Sequence, residues 1–164
     1  LEWLASRYLI KKLLGKNEVV YLDKKANGKP IITNFNEHVS ITHTNGYAAS
    51  IHSKKHPVSI DLEQIDERVM RIERKFMSEE EMKFIPIEEK LDYLILCWSA
   101  KETVFKYLEI SGIIFKEEIL IQPFSIHRDN ELNIRVNHPL AKCDLNIQFK
   151  KIESNYLTWL IQVD

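Results

Sequence analysis

Residues 97–108 read CWSAKETVFKYL. They lie inside a longer apolar-periodic run, 88–109, that predicts the longest helix of the chain, ending near Gly112. An otherwise apolar helix here carries charge at Lys101, Glu102 and Lys106, and that charge needs a destination. Trp98, Glu102 and either Phe105 or Lys106 recur at spacings of three to four and share one stripe, with Lys101 beside it. One reading of Glu102 and Lys106 is an ordinary surface pair worth about 0.2–0.5 kcal/mol. The other makes Glu102 a metal carboxylate and Lys106 a point charge for a phosphate. Trp98, taken alone, reads as core.

The flanking sequence sets the frame for that helix. Residues 1–14 show helical periodicity, stopped by Gly15. VVYLD predicts a short strand, and KKANGKP a turn with Asn27-Gly28 at its tip. VSITHT and YAASIHS predict a hairpin about Asn45-Gly46. HPVSIDLE predicts a strand entered after Pro57. Residues 66–83 read as a charged helix with a loose apolar face of Val69, Ile72, Phe76 and Met82, and Ser78 with Glu81 forms a capping box. From 113 to 163 apolar and polar residues alternate, which predicts an antiparallel meander of three to five strands. The fold class is α+β.

Composition narrows the function. The chain has 164 residues, 45% of them hydrophobic, and a formal net charge of -1. That is enough apolar material for a core and no bulk attraction to nucleic acid or an anionic membrane. Cys97 and Cys143 read as buried apolar positions in a reducing cytoplasm rather than as a disulfide. No apolar run reaches the ~18 residues of a membrane span, and no signal peptide is legible. The chain opens LEWLASRY, without Met, so further residues upstream are expected.

Three further constellations carry possible chemistry. In SIDLE, 59–63, Asp61 and Glu63 project to the same side of a strand. Two adjacent carboxylates need a cation, a basic partner or open water, and hard oxygens of this kind suit Mg²⁺. A solvated edge strand is the bland alternative. In THT, 42–44, alternation puts Thr42 and Thr44 on one face and His43 on the other, where it is placed to donate to a phosphate oxygen or to a neighbouring carbonyl. Lys29 sits on the constrained turn of GKP, 28–30, with a solvated turn lysine as the plain reading. His38, His52, His56, His127 and His138 suggest no partner.

The order of these motifs is more specific than any one of them. GKP 28–30, FN 35–36, THT 42–44, SIDLE 59–63, FMSEEE 76–81 and WSAKETVFK 98–106 together resemble the 4′-phosphopantetheinyl transferases. The match is to their larger, pseudodimeric branch, typified by the surfactin-synthetase-activating enzyme. Ser59 stands where that family usually has Gly, and Thr103 where it often has Ala or Ser.

The resemblance implies a fold of two pseudo-symmetric subdomains, 1–58 and 59–164, each a small antiparallel sheet on a long helix, and a monomer. It implies transfer of 4′-phosphopantetheine from coenzyme A to a serine of an acyl or peptidyl carrier protein serving fatty-acid, polyketide or peptide synthesis. The other product is adenosine 3′,5′-bisphosphate. By resemblance Asp61, Glu63 and Glu102 bind Mg²⁺, and Lys106 and His43 meet phosphate. Lys101 assists in phosphate neutralisation or orders the carboxylates, Thr42 or Thr44 and Lys29 line the nucleotide pocket, and Arg7 reaches the 3′-phosphate. The base for the serine is Glu102 or a water activated at the metal site. The basic-apolar stretch 64–84, with Arg68, Arg71, Arg74 and Lys75, is the expected dock for an acidic carrier helix. The rivals are a Mg²⁺-dependent nuclease or phosphodiesterase, against which the lack of basic excess argues, and a non-catalytic carrier- or coenzyme-A-binding homologue.

Overall fold

The structure is a computed structural model and describes residues 2–15, 19–25 and 29–162. The Asn27-Gly28 turn tip lies outside the described residues. In the first part, helix α1 (Glu2–Leu14) is followed by the short strand pair β1 (Leu22–Lys24) and β2 (Pro30–Ile32), then by the hairpin β3 (His38–Thr44) and β4 (Tyr47–Ser53). Helix α1 buries Ile10 and Leu14, one turn apart, against Ile32 and Val39. Lys11 and Lys12 complement its last turn, and Gly15 closes it at φ 60. Thr44 pairs with Tyr47 across Asn45-Gly46, and Gly46 takes the positive φ of 79 that the tight loop requires.

The second part is built on strand β5 (Val58–Gln64). After it come the short helices α2 (Glu73–Phe76) and α3 (Glu79–Met82), the long helix α4 (Lys90–Leu108) and a single turn, α5 (Phe115–Glu118). Strands β6 (Ile119–Ile121), β7 (Glu131–His138), β8 (Ala141–Ile152) and β9 (Asn155–Ile161) complete it. They form one antiparallel sheet in the order β5-β9-β8-β7-β6. Strand β7 alternates as the sequence predicts, with Leu132, Ile134 and Val136 buried and Glu131, Asn133 and Arg135 exposed. Those residues, with Leu145, Ile147 and Phe149 of β8, form one core with Leu94, Leu96, Ala100 and Val104 of α4. Strand β5 also packs on β3, where Ile60 N donates to Ser40 Oγ at 3.2 Å. The two parts therefore meet along β5, the strand that carries SIDLE.

Four expectations need correction. The stretch 66–83 is not one helix: a 3-10 turn at Glu67–Arg71, then α2 and α3, are separated by Met77 in extended backbone. Ser78 caps α3 with φ -80 and ψ 163, and a helix N-cap in extended conformation cannot lie inside a continuous helix. Second, α4 fills most of the predicted 88–109 run, but its stop is not Gly112. It ends on Glu109, a non-glycine residue in left-handed backbone at φ 56, which costs about 1–2 kcal/mol. Third, Cys143 is exposed, because it lies near the open tip of the β7–β8 hairpin beside the 79%-exposed Leu140, whereas Cys97 is buried in the core. His52 also has a partner, the Glu37 carboxylate, and His127 has Glu89. Among the described residues no helix is long and apolar enough to cross a membrane.

Candidate active site

Strand β5 and helix α4 face each other, and their polar residues share the floor of a cleft of about 610 Å³. Asp61 and Glu63 come from β5, Trp98, Glu102, Phe105 and Lys106 from one stripe of α4, and Glu109 from the residue that ends it. Arg7 of α1, Lys29 just before β2, Pro30 of β2, and Thr42 and His43 of β3 line the same cleft. The sequence stripe on 98–106 is thus a cleft wall, and Trp98 belongs to it as well as to the core.

Asp61 is the centre of the polar network and is 3% exposed. Its Oδ1 accepts from Lys106 Nζ at 2.6 Å and from Thr42 Oγ1 at 3.3 Å. Its Oδ2 accepts from Ser99 Oγ at 2.9 Å, and Ser99 continues into Thr158 and Thr103. Lys106 Nζ also donates to the carbonyl of Ile60 at 3.3 Å. Glu63 Oε1 accepts from Trp98 Nε1 at 3.1 Å. These donors fix the carboxylates that the strand's two-residue period brings to one side.

The electrostatics are those of a site short of positive charge. Burial, then the Asp61 carboxylate, push Glu63 up to about 7, with the Trp98 hydrogen bond acting the other way. Burial and Asp61 push Glu102 to about 7 as well, with Lys106 offsetting part of the shift. Like charges in a half-buried cleft disfavour ionisation until a cation joins them. Lys106 already neutralises Asp61 as such a cation would. Among the described residues no three His, Cys, Asp or Glu side chains are drawn together tightly enough to enclose a metal ion. The donor set itself, two raised carboxyls beside a third carboxylate, all oxygen, fits a hard divalent cation.

Two predicted residues do not reach the cleft. Thr44 is absent from its lining. Lys101 is fully buried on another side of α4, where its Nζ meets Glu81 Oε1 at 2.8 Å, the Phe76 carbonyl at 2.7 Å and the Phe115 carbonyl at 3.2 Å. It serves the core, not a phosphate. The sequence reading missed Ser99 and Glu109. A small hydroxyl residue three positions before Glu102 was the available signal for Ser99. Nothing local marks Glu109, whose carboxyl burial raises and the hydrogen bonds of Lys25 and Lys29 lower, to a net position below its ordinary value.

A model of the 4′-phosphopantetheinyl transferase superfamily matches residues 57–159. That segment holds Asp61, Glu63, Glu102 and Lys106; Arg7, Lys29, Thr42 and His43 lie before it. The 4′-phosphopantetheinyl transferase gsp of Aneurinibacillus migulanus is 31% identical over 108 residues, 64% of this chain and 45% of that protein. The chain therefore spans less than half the length of this relative. With a match over more than half of its residues, and with an antiparallel sheet packed on a long helix, the chain belongs to the 4′-phosphopantetheinyl transferase superfamily.

Proposed function

We propose that this protein transfers the 4′-phosphopantetheine arm of coenzyme A to a serine of an apo acyl or peptidyl carrier protein, with Mg²⁺. The observation that carries the reading is the convergence of Asp61, Glu63, Glu102 and Lys106 on one cleft inside the family-matched segment. Asp61, Glu63 and Glu102 would hold the cation. Bound there, Mg²⁺ supplies positive charge against the pyrophosphate of coenzyme A.

The chain's own residues do the remaining work. Lys106 lies within the cleft and presents a compact charge to a phosphate oxygen. His43, Thr42, Lys29 and Arg7 line the same space and bind the nucleotide end. In the transfer the serine Oγ forms a bond to phosphorus while the bond to adenosine 3′,5′-bisphosphate breaks. The serine proton goes to a carboxylate. Glu102 is assigned as that base, since it is a carboxylate lining the cleft beside Lys106. Arg68, Arg71, Arg74 and Lys75 are exposed on the broken stretch between β5 and α4, which suits an acidic carrier helix. The subdomain boundary is taken at 58/59, one residue inside β5, and the active unit is taken as a monomer. Cys97 and Cys143 are free thiols, and the reducing cytoplasm is the assigned compartment.

Intact-mass analysis of an apo carrier protein incubated with this protein, coenzyme A and Mg²⁺ tests the reading. A mass gain of one phosphopantetheine, abolished by EDTA and by Glu102→Ala, is expected. Coenzyme-A binding without any mass gain across several carriers would move the protein to the non-catalytic reading.

A further inference from the structure

Helix α4 delivers Glu102 and Lys106 to the cleft and then ends on Glu109, with φ 56 and ψ 27. Glycine is the usual residue at such a left-handed helix end, because a Cβ crowds the following carbonyl. The side chain present here makes two ion pairs instead. Glu109 Oε1 is 2.7 Å from Lys29 Nζ, and Oε2 is 2.7 Å from Lys25 Nζ. Lys29 Nζ also donates to the carbonyl of Lys106 at 3.2 Å. Lys29 is 17% exposed, and Lys29, Lys106 and Glu109 all line the cleft. The contact spans 80 residues of sequence and ties the approach to β2 onto the end of the catalytic helix. A lysine at the edge of a three-residue strand has many rotamers, and a charge fixed in advance binds an anion with less ordering cost than one that must be gathered.

We propose that Glu109 is a positioning residue for coenzyme A: it holds the Lys29 ammonium, with Lys25 behind it, at the cleft wall so that the ligand's anionic end meets a charge already in place. This rests on the transferase reading above. Glu109 touches no reacting atom; it acts through Lys29. At this left-handed helix end the carboxylate reaches the β1–β2 approach through both ion pairs.

The test is calorimetric titration of coenzyme A with Mg²⁺ into the full chain, comparing wild type, Glu109→Gly, Glu109→Asp and the Lys25→Ala/Lys29→Ala protein with and without Glu109→Gly. Glycine relieves the left-handed backbone, so Glu109→Gly is expected to keep or raise the thermal midpoint. It is expected to weaken coenzyme A by roughly three- to tenfold, the scale of two partly exposed ion pairs. Glu109→Asp recovers part of the loss. In the double-lysine background the glycine change adds less than about twofold, the sign of an effect passed through those lysines, whether or not the fold loosens. Unchanged affinity in Glu109→Gly overturns the proposal. Tighter affinity overturns it too, and makes Glu109 a competitor of the ligand. Wild type that binds no coenzyme A removes the transferase reading and this proposal together, whereas wild-type binding with an unaffected glycine variant removes this proposal alone.

Discussion

The Lys101 ammonium and the Glu81 carboxylate form an ion pair at 2.8 Å, with 0% and 3% of their side chains exposed. Glu81 is the capping-box residue of α3, and its oxygens also accept from Ser78 N at 2.8 Å and Ile121 N at 2.9 Å. One carboxylate thus joins α3, α4 and β6. Burial lowers the lysine's pKa and Glu81 offsets part of that shift. Removing one partner leaves the other charged and dry. Lys101→Ala or Glu81→Ala should cost about 3–5 kcal/mol, while the joint replacement Lys101→Met/Glu81→Met should cost less than either. Urea unfolding of the four proteins checks this, and single replacements within 1 kcal/mol of wild type would contradict the assignment.

Glu63 and Glu102 give the fold a pH dependence of defined sign. Each carboxyl moves from an ordinary 4.5 to about 7 on folding. The folded state therefore binds these protons more tightly than the unfolded chain. The stability they contribute is complete below pH 4.5 and is lost as pH rises through 7. A thermal-shift series in EDTA should show this contribution as a falling midpoint between those values. In the variant Glu63→Gln/Glu102→Gln that fall should flatten. With Mg²⁺ the midpoint should recover mainly above pH 7, since the cation needs the ionised carboxylates.

Ser59 is fully buried on β5, and its hydroxyl oxygen has no hydrogen-bond partner among the described residues. An orphaned buried hydroxyl costs about 1–3 kcal/mol. Ser59→Ala removes the group without opening a large cavity and should stabilise the protein by up to about 1 kcal/mol, or raise the thermal midpoint by about 2–4 °C. A lower midpoint would show that the hydroxyl is bonded.

Lys106 and the carboxylates are separable by their response to metal and ligand. Lys106→Met removes the ammonium from Asp61, so divalent-ion affinity should hold or rise. On the proposed function, turnover should fall by about 10²-fold or more, since the phosphate would lose its charge partner. Asp61→Asn should lose both. Parallel metal titration and carrier mass analysis distinguish these patterns.

Much of this was legible in the chain itself. Period-two alternation across 131–137 and the Asn45-Gly46 turn marked strands whose faces the structure confirms. The apolar run of 88–109 marked α4, and the D-x-E spacing marked two carboxylates on one side of β5. What stayed hidden was tertiary. Lys101 lies one step from the Glu102 stripe, and only the arrival of α3, twenty residues earlier in sequence, makes it a core charge. The apolar spacing of Val69, Ile72 and Phe76 suits a helix, yet the cap at Ser78 already required a break. Glu109 ends α4 without glycine, and its carboxylate meets Lys25 and Lys29, which are distant in sequence.

The measurement that bears most directly on the account is an electron paramagnetic resonance titration of Mn²⁺, standing in for Mg²⁺, with coenzyme A present. Wild type should bind the ion at a single site, and Asp61→Asn and Glu102→Gln should each weaken it by about tenfold or more. Equal binding by wild type and both variants would show that these carboxylates do not share a cation, and the central claim would fall.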